Sequence, residues 1–200
     1  MLKIFFFLLF SCGINAQQLE SLKTLKAKHD SIETQLKLKY QEEIKGKSDS
    51  EISEIYYQNL LSRRKNNRER FNHYFSVVQT YLETQKLIGP SPEATQQEIP
   101  DKTANYSQGF PALYKEVHDF IKNRYQDRLD EYFTKSAKIH FIVQNDHSLY
   151  IEKVEGTEKE FNDLALLAFL MTTGKWESAF QRGTNVKSKF VLPVKFVVEE

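Results

Sequence analysis

The sequence has one cysteine, Cys12, and it lies close to the N-terminus. A disulfide within the folded part is therefore excluded, and packing must stabilise the fold. The apolar run Ile4–Phe10 has seven residues, which is too few to cross a bilayer. Proline is absent between Gln18 and Ile88, where Gly46 is the one glycine. This scarcity of helix breakers allows long helices in that region.

A strong net charge of either sign is also missing. The chain has 28 basic and 27 acidic side chains, and loss of Lys3 with an N-terminal signal would leave 27 of each. Without a basic excess there is no general attraction to nucleic acid, and we expect no nucleic-acid partner. Hydrophobic residues make up 40% of the 200 residues, which is enough for a packed core.

Residues 1–16 have the composition of an export signal. Lys3 supplies the positive charge, Ile4–Phe10 the apolar run, and Ile14-Asn15-Ala16 a small-residue cleavage site. Cleavage there predicts an exported, periplasmic protein without an integral membrane span. Alternatively, Leu9-Phe10-Ser11-Cys12 resembles a lipobox, in which Cys12 would be lipidated and would anchor the chain to a membrane.

Residues 17–88 carry apolar side chains at helical spacing and predict two helices. The first helix shows a 3,4,3,4 rhythm that is typical of a coiled-coil seam over two heptads. Gly46–Ser50 interrupts the pattern, and Ser48 with Glu51 is a capping-box pair that can start the second helix. We therefore predict a helical hairpin or coiled-coil region. The seam residues are Leu22, Leu25, His29, Ile32 and Leu36.

Residues 89–109 contain Pro90, Pro92 and Pro100 among polar residues and predict a linker. In residues 110–200 the periodicities predict the order helix, strand, strand, helix, strand. This order predicts an α+β domain in which two helices cover one face of a three-stranded antiparallel sheet. The expected helices are 112–124 and 158–172, the latter with Thr157 and Glu160 as a capping box. The expected strands are 137–143, 149–154 and 186 onward.

Three residues near the last strand are expected to be structural. Gly174 stops the preceding helix, and Gly183 permits a turn that would strain other residues. Trp176, the single tryptophan, can bury a large apolar surface at the junction of helix and strand.

The C-terminal motifs also occur at defined spacings. A helix opens at Gly109-Phe110-Pro111, and the chain closes with Gly174-Lys175-Trp176, Ala179, Gly183, Val186 and Leu192-Pro193-Val194-Lys195-Phe196. These motifs resemble the TonB C-terminal domain family, in the form common in exported proteins of Bacteroidetes-type bacteria. We expect the transmembrane anchor of energy-transducing members to be absent. Departures from the family pattern are Tyr125-Gln126 for a Tyr-Pro pair, His147 for a hairpin glycine and Glu177-Ser178 for a proline.

The last strand is the predicted binding site. Its residues alternate with period two, which predicts one buried and one exposed face, and Pro193, which lacks an N–H, is expected at a sheet edge. An exposed edge can pair with an extended peptide of a partner. The resemblance implies that this partner is a cell-envelope protein, such as a TonB-dependent outer-membrane receptor, and implies a link to transport across that membrane. The predicted contacts are Val186, Lys187, Lys189, Val191, Pro193, Val194, Lys195 and Phe196.

Three other groups of polar residues are weaker candidates for a functional site. A basic cluster on the second helix would suit an anionic surface, although a solvated helix face explains it as well. Asp146-His147-Ser148 has triad residue types, but neighbours in a turn cannot converge on one reacting atom. The histidines show no metal-ligand spacing, so we expect no metal or cofactor. The sequence also contains no glycine-rich phosphate loop, recognisable carboxylate pair or nucleophile elbow, so we expect no enzyme activity. The basic cluster consists of Arg63, Arg64, Lys65, Arg68 and Arg70.

A second interpretation places the function in the N-terminal helices. In that case the protein is a self-associating coiled-coil adaptor or structural envelope protein, and the C-terminal domain is a scaffold. The seam Leu22–Leu36 favours this interpretation, and the oligomeric state stays open.

Overall fold

The computed structural model describes residues 2–89, 100–125 and 133–198. Within these ranges the chain forms four helices and seven strands, and it divides into the unit Ala16–Thr80 and the unit Met1–Asn15 with Tyr81–Glu200. The helices are α1 (Leu2–Glu43), α2 (Asp49–Ile88), α3 (Phe110–Arg124) and α4 (Lys159–Leu170). The strands are β1 (Asn105–Tyr106), β2 (Phe133–Val143), β3 (Leu149–Gly156), β4 (Trp176–Glu177), β5 (Ala179–Gln181), β6 (Thr184–Val186) and β7 (Ser188–Val198). The prediction of a helical region followed by an α+β part is confirmed.

Local sequence sets the turn between α1 and α2. Gly46 has a φ of 70°, in the left-handed region that glycine enters without strain. At the start of α2 the Glu51 carboxylate accepts hydrogen bonds from the backbone N–H of Ser48 (3.0 Å) and from its hydroxyl (2.8 Å). The backbone bond is the largest cause that lowers the pKa of Glu51 from 4.5 to about 2. The predicted helix start at Ser48 and Glu51 is confirmed.

Polar contacts within the unit Ala16–Thr80 fix α1 against α2. The side-chain amide of Asn59 donates to the carbonyl of Leu36 (2.8 Å), and the amide oxygen of Asn66 lies 2.7 Å from His29 Nδ1. Asn59 contacts Leu36, and Asn66, which is later in α2, contacts His29, which is earlier in α1. The two helices therefore run antiparallel. Leu22 and His29 of the predicted seam are buried. The predicted hairpin is therefore observed, and the seam packs within one chain.

Three strands of the second unit form an antiparallel sheet in the order β3-β2-β7. The central strand, β2, pairs with β7 over eleven residue pairs and with β3 across a bulge between His140 and Phe141. Because side chains alternate along a strand, one face of the sheet collects the apolar residues. The buried residues of this face are Ala137, Ile139, Phe141, Val143, Ile151, Leu192, Val194 and Phe196.

Helices α3 and α4 cover the buried face of the sheet. Phe169 of α4 lies 4.7 Å from Phe141 of β2, and Phe110 of α3 lies 6.1 Å from Phe190 of β7, measured between ring centroids. Helix α4 is buried on most sides, as its apolar sequence predicts. Its buried residues are Phe161, Leu164, Ala165, Leu166, Leu167, Ala168, Phe169 and Leu170, and those of α3 are Leu113, Val117 and Ile121.

Trp176 lies in an aromatic cluster just after α4. Its ring centroid is 5.1 Å from that of Phe141, 5.4 Å from Tyr106 and 5.6 Å from Phe190. The side chain is buried, which contributes about 2–3 kcal/mol to the free energy of unfolding. Trp176 therefore occupies the junction of helix and strand that its sequence position predicts.

The start of α4 differs from its prediction. The N-cap is Glu158, in extended conformation, and no side chain caps the helix. The carboxylate of Glu158 instead forms an ion pair with Lys135 of β2. The prediction of a capping box formed by Thr157 and Glu160 was therefore wrong, because the helix begins one residue later than that motif requires.

The predicted linker also takes part in the fold. Residues 100–109 include β1, which pairs antiparallel with β4, and Ala104 and Tyr106 are buried. Lys102 forms a further bridge to Phe180. Residues 90–99 lie outside the described part of the chain. Residues 100–109 thus belong to the second unit.

Candidate functional site

Strand β7 forms one edge of the sheet in the described part of the chain. It pairs with β2 alone, in an unbroken register from Phe133↔Val198 to Val143↔Ser188. Alternate residues of β7 face away from the helices and are exposed, with Val191 exposed to 52%. These residues are Lys189, Val191, Pro193 and Lys195.

Hydrogen bonds around β3 show which way the peptide groups of β7 point. The N–H of Ile151 donates to Gln85 (3.0 Å) on the side away from β2, and the N–H of Gln144 donates across the hairpin to the carbonyl of Ser148 (2.8 Å). The main-chain N–H and C=O groups of even-numbered residues in β2 therefore point toward β3, and those of odd-numbered residues point toward β7, since successive residues alternate in direction. The register pairs odd residues of β2 with even residues of β7. The main-chain groups of Pro193 and the other odd-numbered residues of β7 consequently point away from β2, toward the open edge.

The opposite edge, along β3, is occupied by the last turns of α2. The amide of Gln85 donates to the carbonyl of Leu149 (2.6 Å) and accepts from the N–H of Ile151 (3.0 Å). One residue of a parallel strand would make the same pair of bonds, so the Gln85 side chain takes the place of a neighbouring strand. Tyr81 adds a bond from its hydroxyl to Leu149 (2.9 Å). Burial raises the pKa of Tyr81, so the hydroxyl keeps the proton that it donates.

The structure separates the eight residues predicted to bind a partner. Val194 and Phe196 are buried against the helices, so their side chains face the core. Val186 lies on β6, where it pairs with Ala179, and Lys187 precedes β7. The prediction that Val186 and Lys187 belong to the last strand was therefore wrong. The other four predicted residues, Lys189, Val191, Pro193 and Lys195, share the open edge and the outer face of β7.

The turn between β5 and β6 explains why the predicted last strand is divided between β6 and β7. Arg182 and Gly183 have φ values of 47° and 84°, and two left-handed residues in a two-residue hairpin loop are typical of a type I′ turn. A Cβ on Gly183 would meet no atom within 4 Å, so its backbone angle alone favours glycine. The predicted turn at Gly183 is confirmed, and it turns β6 back onto β5.

Gly174 is required by the close approach of Tyr106. A Cβ at Gly174 would lie 2.3 Å from Tyr106 Cζ. The N–H of Gly174 donates to the Tyr106 hydroxyl (2.6 Å), which donates to Glu116 (2.9 Å). Glu116 also accepts from the N–H of Thr173 (2.7 Å). Burial raises the pKa of Tyr106 and keeps its hydroxyl protonated. Gly174 therefore makes room for Tyr106. The prediction that it stops the helix was wrong, because α4 ends at Leu170 with Met171 as its C-cap.

One contact that no sequence motif predicts joins His147 to Ser178. The Ser178 hydroxyl lies 2.9 Å from His147 Nδ1, a separation also found in nucleophilic dyads. However, this hydroxyl donates to the carbonyl of Gln144, and His147 Nδ1 accepts from the backbone N–H of Ser178 (2.9 Å). Ser178 is also buried. With both groups engaged, the arrangement holds a turn in place and does not present an activated nucleophile.

The turn residues Asp146 and Ser148 behave as turn chemistry predicts. The Asp146 carboxylate accepts from the N–H (3.0 Å) and the hydroxyl (2.6 Å) of Ser148, two residues on. This is an Asx turn, and its carboxylate is directed at Ser148. No residue pattern near His147 could have revealed Ser178, which lies 31 positions away.

The basic cluster of α2 divides into two groups. Arg63 pairs with Glu33 (2.6 Å) and Arg70 with Asp30 (3.0 Å), so these two arginines join the helices of the hairpin. The other three members are exposed, and none of them has a partner among the described residues. These three are Arg64, Lys65 and Arg68. The five residues predicted as one contact surface therefore do not form a single site.

Among residues 2–89, 100–125 and 133–198, no group of three or more His, Cys, Asp and Glu side chains is placed to hold a metal ion. No helix in these ranges combines the length and the apolar character that crossing a bilayer requires. Comparisons with protein-family models, with curated proteins and with solved structures gave no match. The open edge of β7 is the feature from which a function can be inferred.

Proposed function

We propose that this chain is a non-enzymatic, TonB-like protein of the cell envelope that binds a protein partner by strand addition to β7. The observation that carries the proposal is the difference between the two edges of the sheet. Gln85 and Tyr81 occupy the edge of β3, whereas the edge of β7 has no neighbour among the described residues. An extended peptide added to an open edge gains main-chain hydrogen bonds along its length.

The composition of the β7 edge supports selective binding rather than general aggregation. Lysine and proline on an edge strand oppose uncontrolled pairing with other strands. Lys189, Pro193 and Lys195 stand on this edge, and Val191 between them offers an exposed apolar side chain. Such an edge favours a partner whose side chains match this pattern.

The resemblance of the C-terminal motifs to the TonB C-terminal domain family supports the choice of partner. In that family a strand near the terminus meets a peptide of outer-membrane receptors. We therefore infer that the partner is an envelope protein such as a TonB-dependent receptor, and that the binding event belongs to transport across the outer membrane. The engaged state of Ser178 and His147 supports a role other than catalysis.

Export to the periplasm is part of the proposal and has its own test. Residues 1–16 support cleavage after Ala16, and Cys12 supports the alternative of a lipid anchor. Mass spectrometry of the mature N-terminus distinguishes them. A chain beginning at Gln17 supports the soluble form, a lipid-modified Cys12 supports the anchored form, and an intact Met1 in envelope fractions contradicts both.

A single substitution tests strand addition. The N–H of Val191 points away from β2, toward the open edge. Val191→Pro therefore removes a donor from that edge without removing a bond to β2. Val191→Thr is the matched control, because it keeps the N–H and changes the side chain. We expect the full mature chain to retain an outer-membrane receptor from envelope extract, and Val191→Pro to retain at least tenfold less. Equal retention by Val191→Pro would contradict edge pairing.

The alternative of a coiled-coil adaptor is favoured by exposed apolar residues on the hairpin. Leu38, Tyr56, Tyr57 and Leu61 are exposed by 41–57%, although the seam Leu22–Leu36 packs within one chain. If the hairpin mediates self-association, changing Leu38, Tyr57 and Leu61 to serine should convert an oligomer of the full chain to a monomer in light scattering. A wild-type chain that is monomeric at high concentration would exclude this alternative.

A further inference from the structure

Ion pairing on the helical hairpin leaves three neighbouring cations of α2 without a carboxylate. Arg64, Lys65 and Arg68 are exposed, and none of them forms an ion pair within the part of the chain that the structure describes. The other cations of the unit Ala16–Thr80, apart from Lys28 of α1, pair with a carboxylate of the hairpin. Unpaired positive charge in this unit is therefore concentrated on one stretch of α2. The paired cations are Lys23, Lys26, Lys37, Lys39, Lys45, Lys47, Arg63 and Arg70.

The three unpaired cations lie on the side of α2 that faces away from α1. Asn66 and Arg70 of α2 contact α1. Arg68 is two positions from each of them, which places it about 200° round the helix axis from both. Arg64 lies four positions before Arg68 and Lys65 lies three positions before it, so the three side chains are neighbours on the helix surface. These cations are therefore open to a partner.

Two exposed apolar side chains continue the same side of α2 toward its N-terminus. Leu61 lies seven positions before Arg68, and Tyr57 lies seven positions before Arg64, so each pair is two turns apart on one side. Tyr57 is 53% exposed and Leu61 is 41% exposed. We refer to Tyr57, Leu61, Arg64, Lys65 and Arg68 as the outer stripe, which is roughly 17 Å long given the rise per residue of an α-helix.

The carboxylates of α2 nearest in sequence do not neutralise the outer stripe. Glu69 follows Arg68 directly, but adjacent residues lie about 100° apart round a helix. Glu69 forms no ion pair with Lys65 or Arg68 among the described residues. At the other end, Glu54 accepts a hydrogen bond from the Gln58 amide (2.9 Å). The outer stripe therefore keeps an excess of positive charge beside its two apolar residues.

We propose that the outer stripe binds the surface of an anionic phospholipid bilayer. Arg64, Lys65 and Arg68 contact headgroup phosphates, because each arginine or lysine near an anionic leaflet strengthens binding. Tyr57 and Leu61 lie at the boundary of headgroups and acyl chains, where tyrosine is enriched. A free phosphate ion would use the cations alone, whereas a row of apolar and basic side chains on one exposed helix side matches an extended surface. This binding involves the hairpin and does not require strand addition to β7.

Vesicle sedimentation with the mature chain beginning at Gln17 tests the cations of the outer stripe. Vesicles of equal parts phosphatidylglycerol and phosphatidylcholine are compared with phosphatidylcholine alone, at about 0.1 M salt. We expect about tenfold stronger partition to the anionic vesicles, because three cations face them. Changing all three cations to glutamine should remove this preference. The combined control Lys23→Gln, Lys39→Gln and Lys45→Gln makes the same charge change at exposed positions outside the stripe, and should weaken partition less than about twofold.

Serine substitutions test the apolar part of the outer stripe. Tyr57→Ser combined with Leu61→Ser should weaken binding to the anionic vesicles about threefold, because less apolar area enters the bilayer surface. Leu38→Ser is the matched control, since Leu38 is an exposed apolar residue of α1 outside the stripe. Equal weakening by the control would mean that self-association of the hairpin uses these side chains, and would overturn their assignment to the bilayer.

The remaining outcomes separate a bilayer from other partners. Equal partition to the two kinds of vesicle, or a preference that the triple glutamine variant keeps, would overturn the proposal. Binding that depends on the cations alone and is displaced by inorganic phosphate at equal ionic strength would assign the outer stripe to soluble phosphate, and would overturn the bilayer as partner. If the triple variant loses helical signal in circular dichroism, Arg68→Gln alone decides, with an expected loss of about fivefold.

Discussion

His147 and Ser178 hold each other's backbone in place. The N–H of His147 donates to the Ser178 hydroxyl oxygen (3.2 Å), and the N–H of Ser178 donates to His147 Nδ1 (2.9 Å). His147 has a φ of 68°, a left-handed conformation that costs a non-glycine residue roughly 1–2 kcal/mol. The two bonds offset this cost.

The strain at His147 predicts an unusual order of stabilities. His147→Gly loses the bond that Nδ1 accepts from the Ser178 N–H but relieves the backbone, whereas His147→Ala loses the same bond and keeps the strained angle. We therefore expect the alanine variant to be less stable than the glycine variant by about 1 kcal/mol, measured as the free energy of unfolding in urea. At an ordinary position glycine is the less stable of the two, so a stability order with alanine above glycine would refute the strain argument.

Gln85 is predicted to protect one particular amide. Gln85→Leu leaves the N–H of Ile151 and one acceptor site of Leu149 without a partner, which should cost about 2–3 kcal/mol. Hydrogen exchange of the Ile151 amide should become much faster in this variant. Gln58→Leu, an exposed glutamine on the same helix, is the matched control and should change neither quantity appreciably. An Ile151 amide that stays protected in Gln85→Leu would show that something else covers the edge of β3.

These two contacts show what the sequence could and could not predict. The hairpin, the two covering helices and the edge position of Pro193 follow from periodicity and from the missing N–H, which act locally. The Gln85–Ile151 contact spans 66 positions, and no periodic pattern encodes it. The predicted last strand is too long because Val186 continues its alternation of apolar residues. The turn at Gly183 instead places Val186 in β6. Alternation identifies a buried face but not the strand partner.

Glu51 predicts a pH-dependent contribution to stability. Its pKa falls from 4.5 to about 2 on folding, chiefly through the backbone N–H of Ser48. Because the folded state favours the ionised form, the contribution is complete above about pH 5 and is lost as pH falls through 2. The stability difference between wild type and Glu51→Gln should therefore shrink from pH 5 to pH 2. Glu54→Gln controls for the loss of a negative charge on the same helix.

The result for Glu51 depends on the shape of the pH profile. Both proteins share the titration of all other carboxyl groups, so their difference isolates this one. A difference that stays constant from pH 5 to pH 2 would mean that the Ser48 bonds do not favour the ionised carboxylate, and would contradict the assigned cap.

The buried pair His29 and Asn66 predicts strong coupling between the two helices of the hairpin. Both side chains are buried, and His29 Nδ1 lies 2.7 Å from the Asn66 amide oxygen. His29→Leu or Asn66→Leu alone leaves a buried polar group unpaired, at a cost of about 1–3 kcal/mol each. The double variant replaces both with apolar side chains and should be more stable than the sum of the single losses predicts, by about 1–2 kcal/mol. Urea unfolding of the four proteins measures this coupling, and His29→Leu with the exposed Ser62→Ala should be additive. Additivity of His29→Leu and Asn66→Leu would mean that this pair does not link α1 to α2, and that apolar packing alone sets the register of the hairpin.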